Sequence, residues 1–360
     1  RNQLLYEMTD EVAGIVITNA YRQSQSISVT AYRGAEQLKE QQRFIQMLER
    51  EGKLDRALEA LPTDEDLAER MASGQGLTRP ELAVLVAYGK MVLKEQLNVP
   101  EITDDPFLAN LLVRSFPTAL QQQFLPAMNQ HPLRREIIAT RLANLLVNDM
   151  GLNFAHRMRE ETGATLADVA ICFVMAREVF GFDALWRDIE ALDNHTQADT
   201  QLEMMFTTRR MLRRAIRWFL RARNRNWGIE QTVSFFRPAL LALSSQLYSV
   251  MESAEVDEHQ EKVDKLLNQG VPEAIARQVA HMSSLFSVLD LAQVAAEQQV
   301  DVLRVADVYY RLGARLELHW FLDQINHQPV ANHWQAMARA AFREDLDWQQ
   351  RTLTSVVFEG

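Results

Sequence analysis

Five arginines recur at helical spacing in the segment RRMLRRAIRWFLR. Arg210, Arg213, Arg214, Arg217 and Arg221 stand three or four residues apart, so on a helix they share one broad face. Leu212, Ile216, Phe219 and Leu220 supply a roughly opposed apolar face. Arg223 and Arg225 extend the charge, and Trp218 and Trp227 offer rings on which guanidinium planes stack. A guanidinium is a rigid fork of donors matched to paired oxygens, which suits bidentate pairing with carboxylates or phosphates. Three roles fit the pattern. The first, and the one an acidic chain favours, is ion pairing with acidic helices of the same chain or of another subunit. The second is a regulatory anion or nucleotide site, and the third is contact with RNA or DNA.

Other chemistries leave only partial traces. A dinucleotide-binding turn needs a strand, three spaced glycines and a helix, because backbone N–H groups must approach the pyrophosphate closely. Gly74-Gln75-Gly76 lacks the third glycine and a preceding strand, and reads as a turn. A di-iron bundle needs Glu three residues before His on facing helices, and none of the histidines has it. Asp104-Asp105 resembles the acidic pair of isoprenoid-processing helical enzymes, but Leu108 stands where the third carboxylate that would share magnesium is needed, and Asp105 reads better as a cap on the helix opened by Pro106. His319-Trp320, His327 and His333-Trp334 read as packing residues rather than metal ligands, and Cys172, inside VAICFVMA, as a buried thiol. There is no His-Glu-x-x-His zinc helix and no Gly-x-Ser-x-Gly turn. The expectation is therefore no catalytic, cofactor-binding or metal-binding residue in this segment.

The elements that would carry these residues are helices. Apolar residues fall at spacings of three and four almost throughout, and strict alternation is rare. Thr78 with Glu81, Asp105-Pro106, and Thr165 with Asp168 are N-terminal signatures, while Gly52, Gly151, Gly163, Gly270 and Gly313 are expected stops. From His131 to Gly151 the chain reads as one helix, with Pro132 in its first turn and Ile138, Leu142, Leu145 and Leu146 on a buried face. Between Gly14 and Val29 the β-branched residues would also suit a strand, but length and context favour helix. Gly52–Gly76 and Asn98–Pro106 read as hinges. The fold expected is all-α, an irregular multi-helix bundle with two subdomains, 1–130 and 131–360.

Composition narrows the partners. A net charge of −10 over 360 residues argues against non-specific binding to nucleic acid or an anionic membrane. The apolar runs are far shorter than the ~20 residues of a bilayer span. One cysteine excludes an internal disulfide and fits a reducing cytoplasm. Arg1 in place of an initiator methionine suggests a piece of a longer polypeptide.

Four strings carry a family likeness beyond this physical reading: MTDEVA (Met8–Ala13), LTRPELAVLVAYGK (Leu77–Lys90), HPLRREIIATRLANLLVNDMG (His131–Gly151) and RRMLRRAIRWFLR (Arg209–Arg221), with HWQAMARAAFREDLDWQQRTLT (His333–Thr354) in the last helices. The chain resembles, over its whole length, the C-terminal part of the large bacterial NAD-specific glutamate dehydrogenases. The resemblance implies a parent enzyme that oxidatively deaminates L-glutamate to 2-oxoglutarate and ammonia and passes hydride to NAD. It also implies that NAD and glutamate are held by a module upstream of Arg1. Such enzymes use lysines near substrate in a glycine-rich setting, which this chain, with six lysines, does not offer. The segment would then pack on that catalytic module, build a homo-oligomer, or gate the cleft. The rival expectation is a stand-alone helical adaptor binding a protein partner through an amphipathic groove. A self-sufficient helical enzyme ranks third.

Overall fold

The structure is a computed structural model that describes residues 2–222, 227–330 and 333–359. Arg1, Arg223 and Arg225, expected above to mark a fragment and to extend the charge, lie outside the described residues, as does the side chain of His333. Among the described residues the regular structure is entirely helical. By internal contacts the chain forms two compact units, Arg1–Val174 and Met175–Gly360.

The first unit holds α1 (Asn2–Tyr32), α2 (Gly34–Arg50), α3 (Asp64–Ala72), α4 (Arg79–Leu97), α5 (Pro100–Thr103), α6 (Ala109–Val113), α7 (Thr118–Asn129), α8 (Arg134–Met150), α9 (Phe154–Thr162) and the start of α10 (Leu166–Val179). The β-branched stretch inside α1 is helical, as its context favoured. Both hinge segments contain a short helix, α3 and α5. The signal at Thr78 is a full capping box: the Thr78 N–H donates to Glu81 Oε2 at 2.7 Å, and Arg70 clasps the same carboxylate at 2.7 and 3.0 Å. Ahead of it, Gly76 presses on backbone. A Cβ there would lie 2.7 Å from the Gly34 carbonyl carbon, so glycine is required by close approach and not by a ligand.

α8 packs along α4 and α1 and buries Ile138, Leu142 and Leu146; Leu145 is only half-buried. It begins two residues later than Pro132 suggested. The His131 ring accepts the Leu133 N–H at 3.1 Å, so Pro132 and Leu133 form a turn and the first helical residue is Arg134. Arg134 and Arg135 bind Asp104 at 3.0 and 2.9 Å, while Asp105 accepts the Phe107 and Leu108 N–H groups. The acidic pair thus splits into an anchor for α8 and a turn cap.

The second unit holds the end of α10, then α11 (Phe182–Glu190), α12 (Ala198–Ala222), α13 (Ile229–Val250), α14 (Ser253–Asn268), α15 (Glu273–Leu285), α16 (Val288–Gln298), α17 (Val302–Arg315), α18 (Leu318–His327) and α19 (His333–Glu359). Its core lies among α13, α15, α16 and α17, and α19 runs over α16 and α17. Gly52, Gly163 and Gly270 end or follow helices with positive φ, but Gly313 does not stop one. It lies inside α17, where a Cβ would meet Gln350 Nε2 of α19 at 2.8 Å; the residue admits a crossing helix. No single helix among the described residues is long and apolar enough to cross a membrane.

Candidate arginine–carboxylate site

α12 is amphipathic as its spacing requires. Leu212, Ile216 and Phe219 are buried with Met211 and Ala215, and Leu220 is half-buried at the margin. Its guanidiniums sort by depth. Arg217 is buried, Arg213 and Arg214 are half-buried, and Arg210 and Arg221 are exposed.

Three of the five arginines reach α19. Arg214 Nη2 lies 3.0 Å from Asp347 Oδ2, Arg217 Nε lies 2.7 Å from Glu344 Oε1, and Arg221 pairs with the other oxygen of Glu344. One carboxylate therefore joins two arginines a helical turn apart. Arg214 also lies over the Phe286 ring, 4.0 Å from its centroid. Arg210 and Arg213 have partners of their own.

Trp218 turns away from the guanidiniums. Its indole N–H donates to Asp290 Oδ1 at 2.9 Å, and its ring meets Phe219 and Phe236 edge-on. Trp227 packs edge-on against Phe235. These rings line a cleft of about 240 Å3 whose polar edge includes Glu297 and Gln293. Arg351 of α19 closes the network, 3.1 Å from Glu297 and 3.8 Å from Asp290.

Burial governs the charge states here. It pushes the Asp290 carboxyl up to about 7; the Trp218 hydrogen bond opposes the shift, Asp347 adds to it, and Arg351 and Arg214 oppose it. Burial likewise raises Asp347, against the pull of Arg214. The Arg343 guanidinium is pushed down to about 10, first by burial and then by the positive charges of Arg214, Arg210 and Arg339.

Four of the histidines make polar contacts to different groups, while both ring nitrogens of the buried His156 have no hydrogen-bond partner among the described residues. His319 pairs with Glu255, and His327 Nδ1 donates to the Asp323 carbonyl at 2.7 Å. His259 and His281 stack 5.4 Å apart and bond Ser284 and Tyr248 at 2.7 and 3.0 Å. Cys172 is buried.

Sequence reasoning found the arginines but missed their partners. Glu344, Asp347 and Arg351 stand at three- and four-residue steps in REDLDWQQR, a charged face that its spacing could have shown. Asp290, alone in the apolar run SVLDLAQVAA, carried the signal of a buried carboxylate that must find donors.

The chain matches the family described as "Glutamate dehydrogenase, C-terminal" over residues 74–360. It is 44% identical over 359 residues to an NAD-specific glutamate dehydrogenase of Pseudomonas aeruginosa, covering 100% of this chain and 22% of that protein. Proteins of the same description from Halomonas elongata and Mycobacterium tuberculosis are 42% and 33% identical over 99% and 98% of the chain. In each case the chain spans 22% of the relative's length.

Proposed function

The chain belongs to the glutamate dehydrogenase C-terminal family, and from that premise we propose that it is an architectural domain of an NAD-specific glutamate dehydrogenase. The parent enzyme oxidises L-glutamate with NAD and water to 2-oxoglutarate, ammonia and NADH. NAD and glutamate are held by the part of the polypeptide that the relatives possess beyond this chain. This domain serves assembly, joining copies of the enzyme into a homo-oligomer or packing on the catalytic module. The single buried thiol is in keeping with a cytoplasmic protein.

The observation that carries this reading is the orientation of α19. Its inward side is polar: Glu344, Asp347 and Arg351 meet α12 and α16, and Gln350 bonds the Tyr309 carbonyl of α17. Its outward side carries large apolar residues, with Trp334 74% exposed, Trp348 57%, and Phe342, Leu353, Val356 and Val357 each about half exposed, interspersed with the exposed Asp345 and Gln349. Large apolar side chains exposed along one helix are what a contact face offers.

The test is made in the full-length protein carrying Trp348→Ser and Val356→Ser. Sedimentation should show a smaller assembly, or limited proteolysis a released C-terminal domain, with helix content unchanged. Unaltered assembly, domain contacts and NADH production would remove the proposal. The 360-residue chain alone, given glutamate and NAD, should produce no NADH above background.

A further inference from the structure

Not every arginine at the α12–α19 contact meets a carboxylate. Arg339 and Arg343 stand one turn apart on α19, and the oxygens that receive them are neutral. Arg339 Nη1 donates to the Asn326 and Gln328 carbonyls at 3.3 and 3.4 Å, and Arg343 bonds the Asn326 side-chain oxygen. The Arg343 Nε–H is buried and has no hydrogen-bond partner among the described residues. Like charges at this spacing repel along a helix, and a guanidinium N–H shut away from water leaves its hydrogen bond unmade.

The facing helix adds to the positive field. Arg214 and Arg210 of α12 both act on Arg343, and Arg210 has a partner of its own. The carboxylate that acts against them on Arg343 is Asp347, which Arg214 already engages at 3.0 Å. Glu344 is occupied by Arg217 and Arg221. The neutral acceptors on α18 and beyond it fix the two guanidiniums without neutralising them, which preorganises a fork for a bound anion.

We propose that Arg339 and Arg343, backed by Arg214, bind a phosphoryl oxyanion. A dianion answers the local surplus of positive charge better than a monocarboxylate does, and its tetrahedral oxygens accept from two guanidiniums at once. The ligand is inorganic phosphate or the phosphate group of a small monoester. The site is separate from the outward apolar face of α19 and stands or falls independently of the assembly role.

Calorimetric titration of the protein with inorganic phosphate, phenyl phosphate and acetate, at constant ionic strength, tests this. Phosphate should bind saturably, and Arg343→Gln and Arg339→Gln should each weaken it about tenfold or more, the loss expected for a charge-assisted hydrogen bond. Arg339 is the less enclosed of the two, so its variant keeps the test readable if Arg343→Gln folds poorly. Tighter binding of phenyl phosphate than of inorganic phosphate identifies a monoester site; equal or weaker binding identifies a free-phosphate site. Absence of saturation, unchanged affinity in both variants, or acetate binding as tightly as phosphate overturns the proposal.

Discussion

α8 and α19 are both long helices laid across their units, yet they are built in opposite senses. α8 buries Ile138, Leu142 and Leu146; of its charged residues Arg135 is exposed, Arg134, Glu136 and Arg141 are half-buried and Asp149 is buried. α19 turns Glu344, Asp347 and Arg351 inward and leaves two tryptophans outside. The first helix is held mainly by apolar burial, which depends less on salt and pH than ion pairing does, with Arg134 and Arg135 pairing with Asp104 at its start. The second is held by charge pairing, which is sensitive to both. Under the assembly role proposed above, α19 and not α8 supplies the contact face.

The contrast is sharpened most by removing apolar mass from α8. Leu142 is fully buried, so Leu142→Ala should cost ~2–5 kcal/mol, the range for truncations that leave a cavity. Urea unfolding should show the loss with the same size at low and high salt. Arg217→Met is the counterpart in the second unit. It removes the 2.7 Å contact to Glu344 and should cost ~1.5–3 kcal/mol, as for hydrogen bonds to charged groups. Here the cost should shrink as salt rises, and equal salt dependence for the two variants would dissolve the distinction between the helices.

A smaller effect separates the units by pH. Asp290 keeps its proton in the folded state up to about 7, whereas its ordinary value is 3.8. Between those values the unfolded chain has lost a proton that the folded chain retains, so the stability due to this group falls as pH rises from about 4 to about 7. Asp290→Asn can still accept from Trp218, and should be more stable than the parent at pH 8 with a flatter profile. His156 in the first unit runs the other way. Burial, aided by Arg159 and Lys53, pushes it down to about 4, so the folded state refuses a proton that the unfolded chain takes from 6.5 downward, and stability is lost as pH falls. His156→Phe should therefore gain more at pH 5 than at pH 7.5, read by thermal unfolding at the two pH values.

Much of this could be read in the sequence, for local physical reasons. Thr78 and Glu81 specify a capping box without help from the rest of the chain, and the α12 arginines follow from spacing alone. What could not be read is tertiary. Gly313 has the composition of a stop, but it lies within α17 because α19 crosses there and Gln350 needs the space. Pro132 has the preferred residue type for a helix start, but the His131 ring accepts the Leu133 N–H and delays the helix. The sense of α19 was hidden for a related cause. Its apolar and charged residues both recur at helical spacing, and only the partners on α12, α16 and α17 decide which side faces in.

The smallest expected change in stability is the most informative about that sense. Trp348→Ser removes a large ring from a position 57% exposed, so unfolding of the 360-residue chain should shift by no more than ~0.5 kcal/mol, as for surface substitutions away from special features. A buried tryptophan would instead cost several times that. The same substitution should reduce the tendency of the chain to associate as its concentration rises, because a solvent-facing indole on a charged helix contributes to binding without contributing to folding. Static light scattering over a range of concentrations reads this directly. A marked loss of stability would mean that Trp348 serves the core and that α19 is an ordinary amphipathic helix, and the comparison with α8 would then fail at its first premise.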